Sequence, residues 1–125
     1  LSEYIVKNKV NTQLPLIADY NGVPVNVSIK SVSEENRTVD FYAPVFAGKE
    51  YRFSRPLNNY AETFNEHLTE LKNIKPVFSC NCILNYLYGE LEGKSTPPFA
   101  GPVTFGEIAY QLLNQTLVYA EIISK

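Results

Sequence analysis

The sequence contains no methionine and no tryptophan, only two cysteines, and a single histidine in 125 residues. Each scarcity excludes something. Cys80, Cys82 and His67 make up the whole thiol and imidazole complement, too few for the four-ligand sets of structural zinc sites, so no metal and no cofactor is expected. Two cysteines do not make a disulfide scaffold, and a bridge between residues two apart would be strained. Two small half-buried thiols in a reducing, cytoplasmic setting are the plainer expectation. Arginine is scarce as well, and a net charge of −2 with a pI near 5.4 leaves no electrostatic footprint for nucleic acid. No apolar run approaches the ~20 residues of a membrane helix, so membrane insertion is not expected. The chain opens Leu1-Ser2-Glu3-Tyr4, without a basic region and apolar run of the leader type. The absence of an initiator Met leads to the expectation of a C-terminal piece excised from a longer chain. The 12 Asn and 9 Tyr point weakly to an A/T-rich, bacterial coding sequence.

What is present is a globular chain. A hydrophobic fraction of 45% with 13% aromatics excludes disorder, and a chain of this mass can bury about two-thirds of its surface. A single domain over residues 1–125 is expected. Val23, Val25, Val27 and Ile29 alternate with polar or small positions, the period that turns one face of a strand to a core. Asn21-Gly22, the pair best able to take positive φ, joins this strand to Pro15–Tyr20 as a hairpin. Polar turns at 33–37 and at Gly48-Lys49 lead into Thr38–Ala43 and Glu50–Ser54, completing an antiparallel meander. The period then changes. Tyr60, Phe64, Leu68 and Leu71 form one helical stripe, opened by Asn59 with Glu62 in a capping-box-like arrangement. Pro76 ends that segment and introduces a short strand, Val77–Cys80. A second helix is expected over about Cys82–Leu91 with Gly93 as terminator, and a strand over Gln115–Ile123 whose apolar run suits a sheet interior. The fold class is α+β, a mostly antiparallel sheet from the N-terminal meander with two helices packed on it.

Several motifs carry chemistry only on the surface. Gly89-Glu90-Leu91-Glu92-Gly93-Lys94-Ser95 looks like a phosphate loop but has three residues between its glycines where four are needed, and it follows a helix instead of preceding one. Cys80-Asn81-Cys82 straddles a strand-to-helix junction, where a helix dipole favours thiolate. A thiol enzyme using Cys80 or Cys82 with His67 is therefore one reading, provided the helix delivers His67 to the thiols. No Gly-x-Ser-x-Gly nucleophile elbow occurs. Glu34/Glu35 and Glu90/Glu92 read as solvated carboxylates, and alternation parts Lys49 from Arg52. Of the triplets beginning at Asn26, Asn36 and Asn114, only the middle one sits in a surface turn, and glycosylation is not inferred. Gly106-Glu107 and Asn114-Gln115-Thr116 remain as polar insertions in an apolar stretch: glycine permits close approach, and a carboxylate beside it can accept from an amine or hydroxyl.

Taken in order, Val39-Asp40-Phe41-Tyr42-Ala43-Pro44-Val45 with Gly48, Phe78-Ser79-Cys80-Asn81-Cys82, Phe105-Gly106-Glu107-Ile108-Ala109 and Leu113-Asn114-Gln115-Thr116-Leu117 resemble the C-terminal half of the FIST sensory domain. The resemblance spans roughly residues 38–122. Cys82 and Ile83 follow Asn81 where that family often has an arginine, which marks a divergent FIST-like branch. The resemblance implies a non-enzymatic sensor of small molecules such as amino acids, partnered by an N-terminal FIST-like half or a signalling domain of the same chain. It implies a pocket at Cys80, Asn81, Gly106, Glu107, Asn114 and Thr116. A third reading is an interaction module that pairs through sheet edges and has no pocket.

Overall fold

In the computed structural model, which describes residues 1–108 and 110–123, Asn21 and Gly22 take φ angles of 58° and 87° and close the expected hairpin. The Asp19 carboxylate accepts from the Gly22 N–H at 2.6 Å, fixing the turn. The hairpin belongs to the first of two units into which the chain divides, Leu1–Pro56 and Leu57–Lys125.

In the first unit a short helix α1 (Ser2–Lys7), not anticipated from the sequence, precedes five strands: β1 (Leu16–Tyr20), β2 (Val23–Val27), β3 (Ile29–Ser33), β4 (Thr38–Phe41) and β5 (Tyr51–Phe53). Six residues are too few to show helical periodicity, and α1 is held by burying Ile5. Alternation holds in part: Val25, Val27 and Ile29 are buried with Leu16 and Ala18, but Val23 is exposed, and the expected single strand breaks at the fully buried Ser28, beyond which β3 joins another sheet. All pairings here are antiparallel, yet the strands form two sheets, β2-β1-β5 and β3-β4. β5 returns to β1 instead of continuing beside β4. The return is secured by the Tyr20 and Tyr51 hydroxyls, 3.1 Å apart, and by Lys49, whose ammonium donates to the Asp19 carbonyl at 2.9 Å and lies over the Tyr20 ring.

The second unit contains α2 (Tyr60–Glu70), β6 (Phe78–Cys82), α3 (Ile83–Tyr88), β7 (Val103–Thr104), β8 (Glu107–Ile108), β9 (Gln111–Leu112) and β10 (Leu117–Ala120). The chain is thus α+β and mostly antiparallel, the class expected from its sequence. Asn59 caps α2 as read, its side chain accepting from Glu62 N–H at 3.1 Å. α3 is shorter than expected: it ends at Tyr88 because Glu90 adopts φ 53°, and Gly93, at φ 69°, lies beyond it. The strand expected over Gln115–Ile123 is confined to Leu117–Ala120, since Gln115 takes φ 47° and turns the chain. The expectation of a sheet interior for this segment is also corrected. The sheet order is β10-β6-β7, so β6 is central and β10 an edge, and Ile122 and Ile123 beyond it are exposed. β6 pairs antiparallel with β10 and parallel with β7.

α2, α3 and β6 are joined by a chain of side-chain hydrogen bonds. The Tyr60 hydroxyl donates to Asn85 Oδ1 at 2.7 Å, and Asn85 Nδ2 donates to Asn81 Oδ1 at 2.8 Å. Asn85 is 2% exposed, so both of its polar atoms need these partners. Burial above all, then the neighbouring Cys82 and Tyr88, pushes the Tyr60 hydroxyl well above the ordinary tyrosine range. It is therefore protonated and serves as donor. The loop after α3 closes on β6 from outside: Gly101 N–H donates to Ser79 Oγ at 3.0 Å and Asn81 N–H to the Pro102 carbonyl at 3.0 Å.

Two stability predictions follow from these contacts. Tyr60→Phe strands Asn85 Oδ1 and should cost about 1–3 kcal/mol in urea unfolding at pH 8. An unfolded tyrosine ionises near pH 10 while Tyr60 in the fold resists, so the wild type loses this contribution as pH rises above about 10. The gap to the variant should then narrow; a constant gap up to pH 11 would contradict a hydroxyl kept neutral by the fold. At Gly101 an added Cβ would overlap the Ser79 carbonyl, whereas at Gly93 it would meet nothing within 4 Å and suffer only from the positive φ. Gly101→Ala should therefore cost about 3 kcal/mol or prevent folding, against about 1 kcal/mol for Gly93→Ala. Similar losses in urea midpoint would show that the loop can retreat from β6.

Candidate functional site

Side chains alternate along β6, so Ser79 and Asn81 share one face while Cys80 and Cys82 share the other. The two faces have different surroundings.

The Ser79/Asn81 face forms the floor of a cleft of about 380 Å³ within the second unit. Val103 of β7 and Leu117 of β10, both in register with Asn81, extend the floor. Tyr86 and Leu91 supply one wall, and the loop 94–101 supplies the other, with Phe99 buried against the Tyr119 ring at 5.3 Å between centroids. The Pro97-Pro98 peptide in this loop is cis. The hydroxyls here are committed in part: Ser79 Oγ accepts from Gly101, and Thr96 Oγ1 donates to the Phe99 carbonyl at 2.8 Å. Asn81 is different. It is 8% exposed, and its Oδ1 is taken by Asn85, but among the described residues its Nδ2 has no acceptor. A fixed amide donor is thus left over in a side chain that lines the cleft. Lys94, also on the lining, makes no ion pair among the described residues.

The thiol face is packed by the chain itself. Cys82 is wholly buried and Cys80 nearly so; both are free thiols. Cys80 Sγ lies 3.9 Å from Thr104 Oγ1, which in turn accepts from Gly106 N–H at 3.3 Å. Gly106 has φ 111°, its carbonyl accepts from Leu113 N–H at 2.7 Å, and a Cβ there would stand 3.1 Å from Asn114 Nδ2. Asn114 is fully buried; the Thr116 hydroxyl donates to its carbonyl at 2.9 Å, and the Thr116 carbonyl accepts from Cys82 N–H at 3.0 Å.

Of the six residues singled out from sequence, Cys80, Gly106, Asn114 and Thr116 therefore gather on or beside the thiol face, Asn81 faces the cleft, and Glu107 is exposed on β8. The close approach that Gly106 permits is made by Asn114 of the same chain. Ala109, the last residue of the Gly-Glu-Ile element, lies outside the described residues. His67 stands exposed on α2 and bonds Glu70 at 3.1 Å. Sequence reasoning did not select Lys94, Tyr86, Phe99 or Tyr60. Lys94 belongs to the sequence that fails as a phosphate loop, Tyr60 to the apolar stripe of the first helix, and Tyr86 and Phe99 to no motif. The signal that was available was the Asn81/Asn85 pair, spaced by four across the strand-to-helix junction.

No helix of the described residues is long and apolar enough to cross a membrane, and no group of three or more His, Cys, Asp or Glu among them is placed to hold a metal ion. No curated protein and no solved structure is significantly similar to the chain. Residues 1–123 match the model of a family of unknown function, DUF6976, and with nearly its whole length covered the chain belongs to that family.

Proposed function

We propose that the chain binds a small molecule without transforming it, and that the cleft over β6 in the second unit is the binding site. The observation that carries this reading is the leftover Nδ2 of Asn81: a donor open to the cleft on an otherwise buried side chain, held in orientation through Asn85 and Tyr60, on a largely apolar lining. Small-molecule sites combine an apolar lining with a few placed polar groups in this way, and 380 Å³ lies within their usual range. The lining holds hydroxyls but no histidine and no carboxylate, so a serine or threonine there has no such base to activate it. The FIST resemblance supports the same class and extends it to a sensory module in a bacterial cytoplasmic signalling protein, partnered by a signalling domain of a longer polypeptide.

Two measurements test the reading. A thermal-shift screen with small metabolites should yield ligands that stabilise the chain, by about 2.7 kcal/mol at 100 times the dissociation constant. Ala100→Trp, which fills the cleft from its exposed loop, should abolish those shifts; shifts that persist in this variant would place the ligand elsewhere. Alkylation of Cys80 and Cys82 by iodoacetamide at pH 7 should be slow in the native chain and fast in urea, because both thiols are buried. A thiol that labels rapidly without denaturant would favour the thiol-enzyme reading over a binding role.

A further inference from the structure

The charge of the cleft goes further than its shape. Its lining contains one cation, Lys94, and no aspartate or glutamate; the carboxylates nearest in sequence, Glu90 and Glu92, are not part of it. Two nearly buried side chains on the lining have donors to spare, Asn81 through Nδ2 and Ser79 through its hydroxyl proton, while Asn81 Oδ1 already accepts from Asn85 and Ser79 Oγ from Gly101. Both features favour a ligand that brings negative charge and lone pairs. Neither provides for an ammonium group, which would enter a site with no carboxylate to neutralise it, at a cost that grows as the cleft excludes water.

We infer that the cleft selects a small carboxylic acid with an apolar body and no free amino group, its carboxylate accepting from Asn81 Nδ2 and facing the Lys94 ammonium. The inference rests on the reading of the cleft as the binding site. It also divides two ligand classes that the overall shape of the cleft would admit alike, the free amino acid and the corresponding deaminated acid. Phe99, Leu91, Val103 and Leu117 of the lining are apolar and suit the ligand's body, and Asn81 and Lys94 of the same lining suit its carboxylate. A hydrogen bond from an amide to a charged oxygen is among the stronger kinds in proteins. The exposed Lys94 contributes less, and its share falls with salt.

The test uses matched sets built on 4-methylpentanoate and on 3-phenylpropanoate: the acid, its primary amide, the amine of the same length, and the corresponding α-amino acid. Calorimetric titration against the full chain should show the acid binding about tenfold or more tightly than its amide, amine or amino acid in at least one set. Asn81→Asp keeps the oxygen that accepts from Asn85 and replaces the donor by an acceptor, so it should lower acid affinity at least tenfold while affecting the amide less. Should that variant fail to fold, Lys94→Gln, on an exposed loop position, provides the second arm. It should reduce the preference of acid over amide by about two- to fivefold and flatten its dependence on salt. Equal binding of acid and amide, or tighter binding of the amine or amino acid, would overturn the carboxylate inference. The cleft reading would then still stand, provided Ala100→Trp abolished that binding. If no member of either set bound while other metabolites gave shifts that Ala100→Trp removed, the inference alone would fall. If no metabolite bound, both would.

Discussion

The second unit depends on the hydrogen-bond chain that runs from Tyr60 through Asn85 to Asn81. Three elements contribute one residue each: α2 the hydroxyl, α3 the linking amide, β6 the terminal amide. A buried hydrogen bond adds only about 1 kcal/mol net, but a buried polar atom that loses its partner costs about 1–3 kcal/mol. The chain therefore specifies more than it stabilises. Asn85, with both polar atoms buried, tolerates little displacement of either neighbour, so α2 and β6 are positioned by their bonds to one residue of α3. Apolar contacts reinforce the arrangement. Tyr60 packs edge-on against Tyr88 and stacks on Phe64, and Gly89 lets Phe64 approach the end of α3, where a Cβ would come within 3.2 Å of its ring.

Directionality gives the chain a defined end. The Tyr60 hydroxyl, kept protonated by burial, donates to Asn85 Oδ1, and with Asn85 in that orientation its nitrogen requires Asn81 to present its oxygen inward. The nitrogen of Asn81 is what remains. Rotating the Asn81 amide by half a turn would set its nitrogen against Asn85 Nδ2, donor against donor, and rotating Asn85 alone would set oxygen against oxygen, so the polarity at the cleft follows the orientation of Asn85. This is preorganisation in the ordinary sense: the donor is aligned by the fold, and a ligand need not pay to orient it.

Much of this architecture could be read in the sequence where a local rule decides the structure. Asn21-Gly22 takes the positive φ angles that a tight hairpin turn requires, Asn59 caps α2, and Val25 and Val27 are buried on alternate positions of β2. The rule fails where partners distant in sequence decide. Nothing local tells β5 to return to β1, since the Tyr20–Tyr51 contact that secures it spans 31 residues. Nothing local makes β6 central, because its two neighbours come from residues 103–104 and 117–120. An apolar run such as 117–123 reads as interior, yet the positive φ at Gln115 and the exposure of Ile122 and Ile123 leave only four residues in an edge strand. The α+β class survives these differences because it depends on element types, which periodicity supplies, and not on their order in a sheet.

The same distinction explains the candidate site. In Cys80-Asn81-Cys82 the thiols carry the conspicuous chemistry, and sequence reasoning weighs them first. A β-strand, however, sends neighbours to opposite faces, so a cluster that is continuous in sequence is divided in space. On one face the thiols meet Thr104, and Gly106 closes against Asn114, a set of contacts that fills space with the chain's own atoms. On the other face the intervening asparagine meets a cleft. Gly106, at positive φ, and the fully buried Asn114 belong to one loop, in which the Gly106 carbonyl accepts from Leu113 N–H and the Asn114 carbonyl from the Thr116 hydroxyl. Asn81 is the member of the motif whose bonding is incomplete within the fold, and the proposed binding role rests on it because a ligand that met its free amide donor beside an apolar lining would gain a hydrogen bond that the fold itself does not make.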